Sequence, residues 1–165
     1  MIDSEVVAAA ARVLDLCRAR GLHVVTAESC TGGLVAGALT EIPGSSDVVE
    51  CGFVTYSNGA KEQLLGVPAD VLATHGAVSR QTAEAMAAGA LRHAHADLSV
   101  AITGIAGPGG GSPGKPVGLV HFAAARQNGD AITREKHFGE IGRAQVRRDS
   151  VLEALGLLAE LAGRA

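Results

Sequence analysis

The sequence predicts an α/β fold, a three-layer α/β/α sandwich with a mostly parallel sheet and an antiparallel hairpin edge. Short β-branched runs alternate with segments whose apolar residues recur at helical spacing, which is typical of strands joined by crossover helices. Hydrophobic residues make up 47% of the chain and are mainly Ala, Val and Leu, which suits helices packed closely on a sheet buried on both faces. Asn128-Gly129-Asp130 separates the last two β-rich runs, and this composition is typical of a hairpin turn.

Each element follows from its own residues. In the first half of the chain, the pattern predicts a helix that begins at Asp3 or Ser4 and ends before Gly21, a strand at 23–26, a helix at about 34–39 and a β-rich stretch at 48–56. Short helices are predicted after Asn58-Gly59 and after Pro68, followed by a helix at 81–93 that Ser79 caps. The last part of the chain is predicted to form strands at 98–103, 117–125 and about 131–138, and a helix at about 142–161. Helices are assigned from apolar residues three and four positions apart, and strands from β-branched runs that end in turn-forming residues. No repeat or linker is visible, so residues 1–165 are predicted to form a single domain.

The composition excludes several classes of protein. The formal net charge is -3 and no dense stripe of Lys and Arg is present, which argues against nucleic-acid binding. The three cysteines form no CxxC pair, so a secreted disulfide framework is not expected. The acidic N-terminus lacks a signal core and no apolar run reaches the roughly 18 residues of a membrane span. We therefore expect a soluble cytoplasmic protein that does not contact membranes.

The segment Thr26-Ala27-Glu28-Ser29-Cys30-Thr31-Gly32-Gly33 connects the first predicted strand to the second predicted helix. Unpaired N–H groups and the helix dipole at such a point favour an anion or a developing oxyanion. Ser29 is therefore a candidate nucleophile or phosphate ligand. The alternative, a tight turn that is merely rich in small residues, fits this segment equally well.

The glycine-rich segment 103–116 imitates two nucleotide-binding motifs. Its glycine spacing matches the dinucleotide fingerprint and, with Gly114-Lys115, most of a Walker A motif. Both motifs need a helix at the end of the loop, whereas here Pro116 and a β-rich run follow, so we exclude both. The segment still follows the carboxyl end of a strand, where open α/β sheets bind ligands. The alternative is a flexible surface loop.

Tyr56 and Lys61 are candidates for proton transfer. A Lys near a Tyr hydroxyl and a Ser can act as a general base without histidine, provided that burial lowers its pKa. The alternative is that Lys61 is a solvated helix residue. The six histidines are scattered and no HExxH is present, so no metal site is expected.

Arg143 and Arg147 lie one turn apart at the start of the last predicted helix. In that position they could clamp a phosphate. A basic first turn opposes the helix dipole unless an anion is bound. The alternative, weighed equally, is an exposed basic turn paired with Asp149 and Glu140.

Five motifs occur in order along nearly the whole chain: 26–33, Pro43-Gly44-Ser45-Ser46, Val54-Thr55-Tyr56-Ser57-Asn58 with Lys61, Gly76-Ala77-Val78-Ser79, and Thr103-Gly104-Ile105-Ala106-Gly107-Pro108 with Lys115-Pro116-Val117-Gly118. Together they resemble the C-terminal domain of the CinA (competence/damage-inducible) proteins, the nicotinamide-mononucleotide amidases. The resemblance implies hydrolysis of the carboxamide of this nucleotide to nicotinate mononucleotide and ammonia, as part of pyridine-nucleotide recycling.

The resemblance also implies site residues and partners. Ser29 would be the nucleophile, with Lys61 and Tyr56 as proton-transfer partners. Substrate contacts would come from the further residues Ser45, Ser46, Thr103, Gly104 and Arg143. We expect no cofactor and no metal, a small-molecule nucleotide substrate, and a homodimer or higher homo-oligomer. The chain departs from the family at Val48-Val49, where members often carry aromatic residues.

The chemistry of amide hydrolysis is consistent with these residues. An amide is a poor electrophile, so the site needs an oxyanion hole, and the backbone N–H groups of Cys30, Thr31 and Gly32 are candidate donors. Glu28 either orients a substrate hydroxyl or caps the backbone of the turn, and Cys30 is either a rival nucleophile or a small buried filler. The competing function is a non-catalytic nucleotide- or phosphate-binding regulatory module, which would use the same loops without chemistry.

Overall fold

A computed structural model describes residues 2–164, so Met1 and Ala165, the two ends of the predicted domain, lie outside the described residues. In chain order the elements are α1 (Ser4–Arg18), β1 (Val24–Glu28), α2 (Leu34–Thr40), β2 (Val49–Val54), α3 (Asn58–Leu65), α4 (Ala69–His75), α5 (Arg80–His93), β3 (Leu98–Gly104), β4 (Leu119–Arg126), β5 (Ala131–His137) and α6 (Arg143–Gly163). A 3₁₀ turn at Ser45–Asp47 precedes β2. The alternation of strands and helices is the predicted one.

The five strands form one sheet in the order β2-β1-β3-β4-β5. Strand β1 pairs in parallel with β2 and β3, while β4 is antiparallel to both β3 and β5. Four strands therefore run in one direction and only β4 runs against them, which confirms the mostly parallel sheet with a hairpin edge. The carboxyl ends of β1, β2 and β3 lie together at one edge of the sheet, which we call the carboxyl edge; the opposite edge is the amino edge.

Helices cover both faces of the sheet. Helices α1, α2 and α6 enclose one apolar core, and α3, α4 and α5 enclose the other. All five residues of β1 are buried, because this strand lies inside the sheet with helices on both sides. The three-layer sandwich is confirmed.

Several boundaries differ from the prediction by one or two residues, and two of these differences bear on the site. Strand β1 continues past Thr26 to Glu28, because the backbone ladder continues through the pair Glu28 and Ile102 of β3. Asn58 and Gly59 were expected to end the β-rich stretch and to precede the next helix, but they form the first turn of α3. The Ser57 side chain accepts a hydrogen bond from the Ala60 N–H at 3.1 Å and so caps this helix at its N-terminus.

Candidate active site

The turn between β1 and α2, residues 29–33, is built around the Glu28 side chain; we call it the serine turn. Glu28 is fully buried, and its two carboxylate oxygens accept hydrogen bonds from the backbone N–H groups of Gly33, Val35 and Ala36 at 2.9–3.1 Å. These are N–H groups at the start of α2, which a helix leaves unpaired by itself. Glu28 is therefore a capping carboxylate, and it occupies the helix N-terminus at which the sequence suggested an anion.

Two backbone donors of the serine turn remain free. The Gly32 N–H donates to the Ser29 carbonyl at 3.0 Å, so the third predicted oxyanion donor is already used. The N–H groups of Cys30 and Thr31 make no hydrogen bond with residues 2–164. The Thr31 hydroxyl is also buried without a partner in that range. The turn thus offers two adjacent N–H groups beside the Ser29 side chain.

The Ser29 hydroxyl lies against the Lys61 ammonium group. Lys61 Nζ donates to Ser29 Oγ at 2.9 Å and to the Thr55 carbonyl at 2.7 Å. Lys61 is only 1% exposed, and no carboxylate of the described chain forms an ion pair with it. Because burial disfavours the charged form, the pKa of Lys61 falls from 10.5 to about 8. Lys61 is therefore not a solvated helix residue, and its amine can take up a proton near neutral pH.

Lys61 reaches Ser29 because of the way the chain leaves β2. The Thr55 N–H donates to the Glu28 carbonyl at 2.8 Å, which keeps the segment after β2 beside the end of β1. The cap at Ser57 then begins α3, and Lys61 lies on the face of this helix that is buried. The Thr55 carbonyl is a ligand of the ammonium group that no side-chain pattern in the sequence reveals.

Tyr56 lies at the rim of the site and not against Lys61. Its ring is 62% exposed, and its hydroxyl accepts a hydrogen bond from Arg143 Nη2 at 3.0 Å. Arg143 also donates from Nη1 to the Gly107 carbonyl at 3.0 Å. No direct hydrogen bond joins Tyr56 to Ser29 or Lys61 within the described chain. Arg143 thus connects Tyr56 to the glycine-rich loop that follows β3.

Arg147 holds the outside of the serine turn. Its guanidinium donates from Nε to the Cys30 carbonyl at 3.1 Å and from Nη2 to the Thr31 carbonyl at 3.2 Å. Because a peptide unit is planar and trans, fixing the Cys30 carbonyl also fixes the direction of the Thr31 N–H. The predicted clamp of Arg143 and Arg147 therefore lies at the site, but both guanidinium groups bind protein carbonyls. Sequence reasoning missed this role of Arg147, since only its spacing from Arg143 was visible.

The thiol of Cys30 is a poor nucleophile in this position. Burial raises its pKa to about 12, so the reactive thiolate is scarce at neutral pH. This supports the interpretation of Cys30 as a buried filler.

A cavity of about 200 Å³ opens at the carboxyl edge. It is lined by Ser29, Cys30, Tyr56, Lys61, Ala77, Val78, Thr103, Gly104, Ala106 and Arg143. We call it the catalytic cavity. The Thr103 hydroxyl donates to the Ala77 carbonyl at 2.7 Å, which fixes the wall opposite Lys61. A Cβ atom at Gly104 would lie 2.7 Å from the Val120 side chain, so the close approach of β4 requires glycine there.

Ser45 and Ser46 lie elsewhere. They form the 3₁₀ turn before β2, and the Val24 N–H at the start of β1 donates to the Val48 carbonyl just after that turn. The length of β1, about 15 Å at roughly 3.3 Å per residue, separates this turn from Ser29. Within one chain the structure does not bring Ser45 and Ser46 to the catalytic cavity.

The described residues form neither a candidate metal site nor a candidate membrane span. Among the described residues no three His, Cys, Asp or Glu side chains are grouped closely enough to hold a metal ion. Over the same residues, no helix combines the length and the apolar character needed to cross a membrane.

Comparisons with known proteins agree with this architecture. Residues 7–162 match the model of the CinA C-terminal domain. The nicotinamide-nucleotide amidohydrolase PncC of Escherichia coli strain K12 is 52% identical over 158 residues, which cover 96% of this chain and 95% of that protein. The crystal structure of competence/damage inducible protein CihA from Agrobacterium tumefaciens is 53% identical, with a TM-score of 0.96 and 98% of each chain covered. A CinA superfamily protein from Klebsiella pneumoniae 700603 is 38% identical, with a TM-score of 0.90 over 95% of this chain and 97% of that one.

Proposed function

The chain belongs to the CinA C-terminal domain family, and from this premise we propose that it is an amidohydrolase that converts nicotinamide mononucleotide and water to nicotinate mononucleotide and ammonia. The PncC relative from Escherichia coli is a nicotinamide-nucleotide amidohydrolase by name, and the proposed reaction is a specific case of that activity. The observation that carries the proposal is the 2.9 Å contact between the buried Lys61 amine and the Ser29 hydroxyl. A serine becomes a nucleophile when an adjacent base can take its proton.

In the proposed mechanism, neutral Lys61 accepts the proton of the Ser29 hydroxyl as Oγ attacks the carboxamide carbon. The free N–H groups of Cys30 and Thr31 stabilise the oxyanion that forms, and one such donor contributes about 10²–10³ in kcat. Lys61 then donates its proton to the departing amine, which leaves as ammonia. Water attacks the resulting ester with Lys61 again as base, and this step releases nicotinate mononucleotide and restores Ser29.

The remaining residues bind the substrate in this proposal. The catalytic cavity accepts the nicotinamide ring, with Thr103, Gly104 and Arg143 as contacts and Gly32 as part of the turn beneath it. Tyr56 was expected to be a proton-transfer partner, but it makes no hydrogen bond with Ser29 or Lys61, so its part in this proposal is a substrate contact at the rim beside Arg143. Ser45 and Ser46 receive no role within one chain. No metal or cofactor takes part.

The proposal extends to the whole protein. Residues 1–165 act as one amidase domain in the cytoplasm, on a small-molecule nucleotide and without nucleic acid or membrane partners. The chain assembles as a homodimer or a higher homo-oligomer. Light scattering after size exclusion tests the assembly, and a single species at the chain mass of 16.6 kDa would contradict it.

The deciding experiment is ammonia release from nicotinamide mononucleotide by chelator-treated protein. We expect turnover in the wild type and a loss of about 10⁴-fold or more in Ser29→Ala, with an unchanged melting temperature. If Ser46→Ala or Cys30→Ala loses turnover and Ser29→Ala does not, the nucleophile is that residue and not Ser29. If the wild type binds the nucleotide without turnover, the competing function holds, and the protein is a non-catalytic nucleotide-binding regulatory module.

A further inference from the structure

A second cavity of about 420 Å³ lies beside the catalytic cavity; we call it the basic cavity. Its lining consists of His75, Val78, Ser79, Arg80, Gln81, Gly114, Lys115, Leu119, His121, Glu135 and His137. Val78 lines both cavities. Thr103 of the catalytic cavity and His121 of the basic cavity are direct partners on β3 and β4, so their side chains lie side by side on the same face of the sheet. The two cavities are therefore neighbours along the carboxyl edge.

The basic cavity carries more cationic than anionic groups. Arg80 and Lys115 are its permanent cations, and three histidines accompany them. Its single carboxylate, Glu135, accepts a hydrogen bond from His137 at 2.6 Å. Arg80 lies 3.8 Å from Glu84 and is otherwise exposed, while Lys115 donates to the His75 carbonyl. An ammonium group has three donors, so Lys115 keeps two for a ligand.

The start of α5 also faces the basic cavity. The Ser79 hydroxyl accepts from the Thr82 N–H at 3.1 Å, and the Ser79 carbonyl accepts from Ala83. The N–H groups of Arg80 and Gln81 make no hydrogen bond within residues 2–164. They belong to the first turn of a helix of 14 residues, where N–H groups and the helix dipole favour an anion.

His121 is an independent indication that a ligand belongs here. Its side chain is only 10% exposed, and its nearest ionic partner is Glu135, 3.8 Å from Nδ1. That distance is too long for a hydrogen bond, and His121 makes none with the described residues. Neither ring nitrogen of His121 is fully enclosed by the protein, so a molecule in the basic cavity can reach the ring. A largely buried imidazole that lines a basic cavity without a protein partner fits a site whose acceptor is supplied by a bound molecule.

We propose that the basic cavity binds the 5′-phosphate of the nucleotide while its carboxamide lies at Ser29. This inference rests on the proposed function and names the group of the substrate that the second cavity recognises. Ser29 follows β1, and His121 lies on β4, two strands away, a separation of about 10 Å at roughly 4.8 Å per strand. A pyridine ring, a ribose and a phosphate placed end to end span this gap.

Apart from the two N–H groups assigned to the oxyanion, the anion donors near Ser29 are already bound. Glu28 fills the N-terminus of α2, Arg147 binds two carbonyls of the serine turn, and Arg143 binds Gly107 and Tyr56. Of the cations that line either cavity, Arg80 and Lys115 line the basic cavity together, and both keep donors that make no hydrogen bond within the described chain. The phosphate is therefore assigned to the basic cavity.

The first test compares two substrates that differ only in the phosphate, nicotinamide mononucleotide and nicotinamide riboside. For Arg80→Gln and His121→Gln we expect kcat/KM for the mononucleotide to fall about 10- to 100-fold and kcat/KM for the riboside to stay within about twofold. Arg12→Gln, which removes an exposed charge on α1, is the matched control and should change neither. Equal losses for both substrates, or no loss for the mononucleotide, would overturn the assignment.

The second test needs no turnover. In the Ser29→Ala protein, the imidazole resonances of His121 are followed by NMR during titration with either compound. The mononucleotide should shift them and the riboside should not, whether or not the wild type is an amidase. Inorganic phosphate should compete with the mononucleotide and leave riboside turnover unchanged. If phosphate alters riboside turnover while Arg80→Gln spares the mononucleotide, the cavity binds a free regulatory anion and the proposal fails.

Discussion

The serine turn and the glycine loop (residues 105–118) leave neighbouring parallel strands at the carboxyl edge, yet they are held in different ways. The serine turn has five residues, and Glu28 on one side and Arg147 on the other bind its backbone. The glycine loop is nearly three times as long. It is held at its base, where the Gly118 N–H donates to the Ile105 carbonyl and the Ile105 N–H donates to the Leu119 carbonyl. Its tip, residues 109–114, is exposed.

This difference indicates a division of roles. Chemistry that depends on ångström-scale placement belongs on a backbone that other residues hold from two sides. Beyond its base the glycine loop is held by single contacts at Gly107 and Lys115, and its exposed tip is the kind of surface segment that tolerates substitution. The comparison predicts that substitutions in and around the serine turn act on catalysis, that those at the base of the glycine loop act on stability, and that glycine substitutions at its exposed tip have little effect on stability.

After Ser29 itself, the largest expected effect is at Lys61. Lys61→Met removes the general base, and we expect kcat to fall by about 10²–10⁴ while the protein folds with an equal or higher melting temperature at pH 7. Stability is retained because a buried ammonium group without a carboxylate partner is replaced by an apolar side chain of similar length. Lys136→Met, on strand β5, is the matched control for steady-state ammonia release. A large loss of stability in Lys61→Met would show that the lysine is structural.

Glu28→Gln is expected to have the next largest effect. The amide keeps the shape of the side chain but can accept at only one oxygen. With that oxygen in the position that binds Gly33 and Val35, the Ala36 N–H loses its acceptor and faces the amide NH₂ group. We expect kcat to fall about 10²-fold with little change in KM, because the oxyanion donors are displaced. The free energy of unfolding should fall by about 2–3 kcal/mol. Glu41→Gln, an exposed carboxylate just after α2, should change neither quantity in the same urea titrations and assays.

The glycine loop offers its own matched pair. A Cβ at Gly118, where φ is +87°, would lie 2.3 Å from the Gly139 nitrogen, whereas a Cβ at Gly114 meets nothing within 4 Å. Gly118→Ala is expected to lower the free energy of unfolding by about 3 kcal/mol, and Gly114→Ala to change it by less than about 0.5 kcal/mol. Equal effects in urea denaturation would contradict the contrast between base and tip.

The smallest expected effect is a dependence on pH. Since the neutral amine of Lys61 is required and its pKa is about 8, kcat/KM should fall about tenfold per pH unit below that value. Between pH 8 and 10.5 the unfolded chain binds a proton at this lysine that the folded chain does not, so stability from this group rises with pH there and is constant below. Lys61→Met should lack that rise, and a pH-independent difference in melting temperature between the two proteins would refute the lowered pKa.

Much of the fold could be predicted because its signals are local. Strand ends are marked by Ser29 and by the glycines after Thr103, and helix starts by hydroxyl caps such as Ser79. The start of α3 at Asn58 differs from the prediction for a local reason as well. Asn-Gly often forms turns, but here the Ser57 side chain caps the helix and lets both residues join its first turn.

The candidate site was less predictable because its contacts span long distances in sequence. Lys61 and Ser29 meet across 32 positions, and Arg143 and Tyr56 across 87; residue type suggested them, but only the folded chain joins them. Ser45 resembles a site residue in sequence, yet it lies at the amino edge because β1 separates it from Ser29. Glu28 had two open interpretations, and its burial decides for the cap.

The Glu28 cap also has a consequence for motion. The amide hydrogens of Gly33, Val35 and Ala36 share one acceptor side chain, so none of them can be released to solvent without weakening the hold on the others. Hydrogen exchange at these three amides should therefore follow a single opening event, slower than exchange in the tip of the glycine loop. We expect each opening event to separate Ser29 from Lys61. The exchange rate of these amides therefore also reports how often the resting protein loses the contact between its nucleophile and its base.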